Sequence, residues 1–182
     1  MDSLDLLKRT VGEVDKLIAG LSDDQLAVQT PCTDWKVSDL LGHITGGATM
    51  FAQSAEEAVG AEAGPAPSGD HRSAWSTASR RALAAFELPG VMDKTVKLPF
   101  GEMPAGVALN IAVFDVATHA VDLASCTGQT ISDEGLLEAA LGMGKQMIGP
   151  DFRQPGIFDA EQPCPDDAPV AQRLLAFAGR KV

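Results

Sequence analysis

The sequence predicts an all-α fold: a four-helix bundle with short extra helices and a minor strand or hairpin element. Three observations carry that expectation. Apolar residues recur at alternating steps of three and four along several long segments. Gly and Pro clusters separate those segments. One short stretch, Thr95-Val96-Lys97-Leu98, alternates as a strand does.

In the first segment, Leu4, Leu7, Val11, Val14, Ile18 and Leu21 form one helical stripe, with a cap near Asp2 or Ser3. Ser22 and Gln25 have the spacing of a capping box for a short turn before Pro31. A second helix is expected from about Trp35 to Val59, its stripe running through Val37, Leu40, Leu41, Ile44, Ala48, Phe51 and Ala55. Residues 60–69 are rich in Ala, Gly and Pro and read as a loop. Trp75, Ala78, Ala82 and Phe86 mark the buried side of a third helix, from about Asp70 to Glu87. The strand follows and is ended by Pro99 and Gly101. Pro104 suits a first helical position, so a fourth helix runs from there to about Cys126, with Gly128 near its C-terminal cap. A fifth covers about Ser132 to Ile148. Residues 151–165 read as Pro-rich coil, and a last short helix starts at Asp166 or Asp167 and ends at Gly179. No internal repeat or composition break divides the chain, so residues 1–182 are expected to form a single domain.

Totals narrow the function. A net charge of −11 supplies no basic footprint for phosphates, so no nucleic-acid partner is expected. The same acidity disfavours anionic membrane surfaces, and no apolar run is expected to be long enough to span a bilayer. The N-terminus, MDSLDLLKRTVGEVDKL, is charged at every turn and is not a signal peptide. Cys32, Cys126 and Cys164 form no CxxC pair, which disfavours a zinc ribbon or a disulfide framework and fits a reduced cytoplasmic protein.

The fourth helix holds the main anomaly. Val107, Ala108, Ile111, Asp115, Thr118, His119 and Asp122 fall on one broad face. Its apolar members should look inward, yet two carboxylates and a histidine continue it. An unpaired buried carboxylate costs several kcal/mol, comparable to a domain's whole margin of ~5–15 kcal/mol. Asp115 and His119 stand four apart, so both can reach one point, and their donor atoms suit zinc or a similar divalent ion. A third ligand should come from a facing helix. His43 lies at the edge of the second stripe, and Gly46 and Gly47, one turn later, leave open space near it. His71, at the mouth of the loop, reads as exposed or capping. On spacing alone, a surface Asp115–His119 ion pair and a hydrogen-bonded core histidine stand beside the metal reading. Asp122 either orients His119 or bonds a neighbouring element, and the second reading is preferred. Arg80, Arg81 and Arg153 could meet an acidic substrate but are ordinary surface arginines by pattern.

The segment PCTDWKVSDLLGHITGG (residues 31–47) resembles the helix-two signature of the DinB-like superfamily. It is closest to the mycothiol-dependent maleylpyruvate isomerase N-terminal domain branch. LNIAVFDVATHAVDLASCTGQ (residues 109–129) resembles that family's second signature, in which an acidic residue precedes a histidine by four. DDAPVAQRLLAFAGR (residues 166–180) is similar to the ending of an actinobacterial subgroup. The resemblance implies a four-helix bundle with an added hairpin or helices, and metal ligands that fall on His43, Asp115 and His119. The family's best-known enzyme has glutamate where Asp115 stands, and Val121 replaces an aromatic residue often found there.

Three protein ligands leave a coordination position open, as in catalytic zinc sites. The expected cofactor is a divalent metal ion, zinc first and nickel as the alternative. Mycothiol or a similar low-molecular-weight thiol is the implied cosubstrate, giving a metal-dependent thiol transferase or isomerase that acts on a small electrophile. The alternative is a non-catalytic metal- or small-molecule-binding module. The family's characterised isomerase carries a further domain, so maleylpyruvate isomerisation is not expected of this chain alone. A homodimer is implied by resemblance only.

Overall fold

Helix boundaries fall where the sequence supplies caps. The computed structural model describes residues 2–32, 34–150, 153 and 159–181. Its helices are α1 (Ser3–Ala19), α2 (Val37–Val59), α3 (His71–Phe86), α4 (Ala105–Thr127), α5 (Glu134–Met147) and α6 (Val170–Phe177). Asp2, Asp70 and Asp133 cap α1, α3 and α5 by accepting from the backbone N–H groups of Leu4, Ser73 and Leu136. Gly60 and Gly128 close α2 and α4 at φ 67° and 71°, a left-handed conformation that glycine adopts without a Cβ clash.

Three boundaries depart from the sequence expectation. Helix α2 begins at Val37 rather than Trp35, because Gln29 and Lys36 form an isolated bridge and Val37 N–H donates to Val28 O. Helix α6 begins at Val170 rather than at Asp166 or Asp167. Pro169 disfavours helical backbone at Ala168, so the two aspartates sit in a turn instead. The first strand ends before Pro99 as expected, but Gly101 begins a second strand rather than only closing the first. Strand β1 (Thr95–Leu98) pairs antiparallel with β2 (Gly101–Pro104), in the register Thr95–Pro104 and Leu98–Gly101. The expected coil over residues 151–165 lies largely outside the described residues. The capping box does form: the side-chain oxygen of Gln25 accepts from Ser22 N–H at the start of the 3-10 turn Asp23–Ala27.

Helix α1 packs on α3 and α4, and α2 packs on the same two, which closes a four-helix ring. Leu6, Val14, Leu40, Ile44, Trp75, Phe86, Leu109 and Leu123 fill its centre. Each such side chain contributes about 1.5–3 kcal/mol relative to exposure. The hairpin covers one edge with Val96 and Leu98 turned inward. Helices α5 and α6 lie on α4 and build a second apolar cluster around Phe114, Val121, Leu137, Leu174 and Phe177. Helix α4 is thus covered by both clusters.

That double cover corrects one reading. By length and composition α4 is apolar enough to cross a membrane, although no apolar run was read that way. In the fold, 78% of its most apolar window is buried inside the protein. The continuous apolarity reflects contact with helices on both sides.

Candidate metal centre

His43 projects from the N-terminal third of α2, and Asp115 and His119 project from the middle of α4. These two helices pack against each other, so the three side chains meet. The Asp115 Oδ1 atom lies 3.3 Å from His43 Nε2 and 3.6 Å from His119 Nε2. The two imidazole rings stand edge to face at 4.7 Å between centroids. Exposure is graded across the site: the His43 side chain is 37% exposed, Asp115 25% and His119 8%. Among the described residues, ligand atoms of this trio all lie within 4.8 Å of one another. His71 opens α3 and takes no part in the grouping, and Asp70 rather than His71 caps that helix. Of the two glycines, only Gly47 bears on the trio: a Cβ there would sit 3.7 Å from Asp115 Oδ2. Gly46 is exposed and faces nothing within 4 Å.

A tight loop before α2 roofs the centre. Trp35 N–H donates to Cys32 O at 2.8 Å, and Thr30 Oγ1 donates to Trp35 O at 2.8 Å. The loop tilts the Trp35 ring over His43 and His119, at 4.6 and 5.6 Å between centroids. Trp35 and the trio line an open cleft of about 1040 Å³, together with Gln29, Asp159, Gln162 and Lys181.

Behind His119 lies a second layer of contacts. Asp122 is fully buried, and its Oδ2 is 2.9 Å from His119 Nδ1. Arg180 donates to both Asp122 oxygens, from Nε at 3.2 Å and from Nη2 at 2.9 Å. Cys32 completes the cluster, its Sγ 3.3 Å from Asp122 Oδ2 and 3.0 Å from Arg180 Nη2. Asp122 was preferred as a structural anchor, but it does both jobs, gripping the C-terminal segment and orienting a histidine.

Charge and burial oppose each other throughout. Burial disfavours charge on His43, but the hydrogen bond and charge of Asp115 outweigh it and hold the imidazole above its ordinary value. Burial pushes the Asp115 carboxyl up, and the two histidines more than reverse that. Asp122 is likewise lowered against its burial by His119 and Arg180. For Cys32 burial first, then the Asp122 charge, outweigh the opposing effect of Arg180 and push the thiol up to about 12.

The donor chemistry fits a divalent ion. Ligands about 2.0–2.2 Å from a tetrahedral zinc stand roughly 3.4 Å apart, close to the separations from Asp115 to each histidine. The Nδ1 atom of His119 is occupied by a carboxylate, which leaves Nε2 for the trio, the usual arrangement of a metal-ligating histidine. A second grouping, Cys32 with His119 and Asp122, is also close enough to hold an ion. There the Arg180 guanidinium already supplies the positive charge.

Sequence reasoning brought together His43, Asp115 and His119 but did not name Cys32, Trp35 or Arg180 as site residues. Arg81 and Arg153 lie elsewhere: Arg81 forks onto buried Glu56, and Arg153 donates to the carbonyls of Asp159 and Phe177.

The four-helix ring brings two histidines and a carboxylate together between facing helices, close enough to hold a metal ion. The chain belongs to the mycothiol maleylpyruvate isomerase N-terminal domain family, whose profile matches residues 7–124. Its relatives include uncharacterised proteins of Mycobacterium tuberculosis, in strains CDC 1551 / Oshkosh and ATCC 25618 / H37Rv. Each is 38% identical over 184 residues, covering 100% of both chains. No solved structure matches.

Proposed function

We propose that this protein binds one divalent metal ion, zinc first, through His43, Asp115 and His119, and uses it to activate a low-molecular-weight thiol of the mycothiol type toward a small electrophile. The observation that carries this reading is the convergence of His43 Nε2, Asp115 Oδ1 and His119 Nε2 at the floor of an open cleft. Three ligands match the open-sided pattern of catalytic rather than structural zinc sites. A metal ion bound there would act as a Lewis acid and lower the pKa of a thiol or water.

The chain's own groups divide the remaining work. Asp122 holds the Nδ1 side of His119, fixing which nitrogen faces the cleft. Trp35 shields the two imidazoles from solvent on one side and offers an apolar wall to a ligand. Cys32 lines the cleft, but a thiol held near 12 stays protonated at neutral pH and is a poor nucleophile. In this reading the reacting thiol is that of the cosubstrate. The cleft's size suits a thiol and a small electrophile together.

A thiol-transfer assay with mycothiol and a generic electrophile tests the reading. Activity should vanish with a strong chelator and return on adding zinc. Metal binding with no thiol transfer would leave a metal-binding module in place of an enzyme. Activity indifferent to the chelator would remove the metal from the chemistry.

A further inference from the structure

The contacts behind His119 run to the far end of the chain. Helix α6 ends, Gly179 turns at φ +89°, and Arg180 N–H donates back to Leu175 O at 2.9 Å. That reversal is tight, because a Cβ on Gly179 would lie 2.7 Å from the Asp159 Cβ. It aims Arg180 inward, where the side chain makes four hydrogen bonds: two to Asp122, one to Cys32 Sγ and one to Ala178 O at 2.7 Å. A guanidinium has five N–H donors, so this one is nearly saturated by the protein. It is built to hold Asp122 and has little left for a substrate anion.

Asp122 needs that hold. It is completely buried, and a buried carboxylate stays charged only when paired and hydrogen-bonded. Its one imidazole partner, His119, is also a member of the cleft trio.

We propose that Arg180 is a positioning residue for the metal site: its guanidinium fork fixes Asp122, and Asp122 fixes the His119 ring with Nε2 turned toward Asp115 and His43. This rests on the metal-binding reading above and adds a dependence on the C-terminal segment, which lies outside the family match over residues 7–124. Ligand-orienting partners of this kind are worth roughly 10–100-fold in metal affinity when removed.

The test uses full-length, tag-free protein stripped of metal. Zinc affinity is measured by competition with a chromophoric chelator. Arg180→Ala should weaken binding roughly 10–100-fold, with the helical circular dichroism retained. Asp122→Asn should do the same, and the double variant should be no weaker than Asp122→Asn, since both act through one carboxylate. Arg180→Lys keeps the charge but loses the fork, and should fall between wild type and alanine. A second readout needs no metal: 15N NMR of His119 should show one ring tautomer in wild type and a mixture in Arg180→Ala. Wild-type affinity in Arg180→Ala with an unchanged tautomer overturns the proposal, as do fully additive losses in the double variant. If Arg180→Ala loses its helical signal, Arg180→Lys decides, and unchanged affinity there overturns the proposal. Wild-type protein that binds no zinc sinks the metal reading, while the tautomer comparison still decides the role of Arg180.

Discussion

Asp115 and His119 were visible in the sequence because polar side chains at a four-residue step interrupted an inward apolar face. Physical chemistry demands a partner for such groups, and only three histidines were available. Cys32 and Arg180 were not visible in that way. Arg180 meets Asp122 across 58 positions, and Cys32 meets it across 90, distances over which periodicity carries no information. The buried Glu56–Arg81 pair was hidden for the same reason and makes a test independent of the metal site. Arg81 forks onto both Glu56 oxygens, and the pair holds the Glu56 carboxyl below its ordinary value against the effect of burial. A lowered folded pKa contributes stability above the unfolded pKa, about 4.3, and loses it as pH falls through the folded pKa. Glu56→Gln leaves Arg81 buried without its counter-charge, so a loss of about 3–5 kcal/mol is expected at pH 7. In urea unfolding, the gap between wild type and Glu56→Gln should narrow as pH falls below about 4.3. A gap constant from pH 7 to pH 3 would contradict this account of the pair.

At the scale of elements, the stripes placed α1 to α5 within about two residues of their observed ends. The two misplaced helix starts have different causes: a competing backbone contact at α2 and the steric restriction before a proline at α6. The bridge between Gln29 and Lys36 delays α2, and Pro169 delays α6. Residues 101–104 carry no strand signal because three of the four are exposed and only Met103 is half-buried, which leaves no alternation. Helix α5 poses a sharper question, since Gly144 lies in its interior, where glycine costs ~1 kcal/mol relative to alanine. The reason is close approach. A Cβ at Gly144 would come within 2.8 Å of Phe177 of α6 and closer to the Phe114 ring of α4. Gly144→Ala is therefore expected to destabilise by about 1–3 kcal/mol, despite the better helix former, because it overpacks the joint of three helices. Thermal denaturation reads the sign directly, and a raised melting temperature would mean that the joint yields freely.

Over the whole molecule, one helix does two jobs. Helix α4 seals the four-helix ring on one side and the α5–α6 cluster on the other, and at its centre it carries Asp115, His119 and Asp122. The apolar stripes of the bundle are complete without an ion, so the fold is expected to stand whether or not the proposed site is filled. The four-helix plan was legible because stripes and Gly/Pro breaks are local signals. The closing of the C-terminal segment onto the site was not, because its chemistry appears only once α6 has docked.

The most direct test is the metal content of wild-type protein purified without a metal-affinity tag, measured by elemental analysis beside His119→Ala. The expected result is about one divalent ion per chain in wild type, with zinc the leading ion. His119→Ala should carry none while keeping its helical circular dichroism. Wild-type protein that holds no ion, even after incubation with zinc, would contradict the account. So would a His119→Ala variant that binds zinc as tightly as wild type.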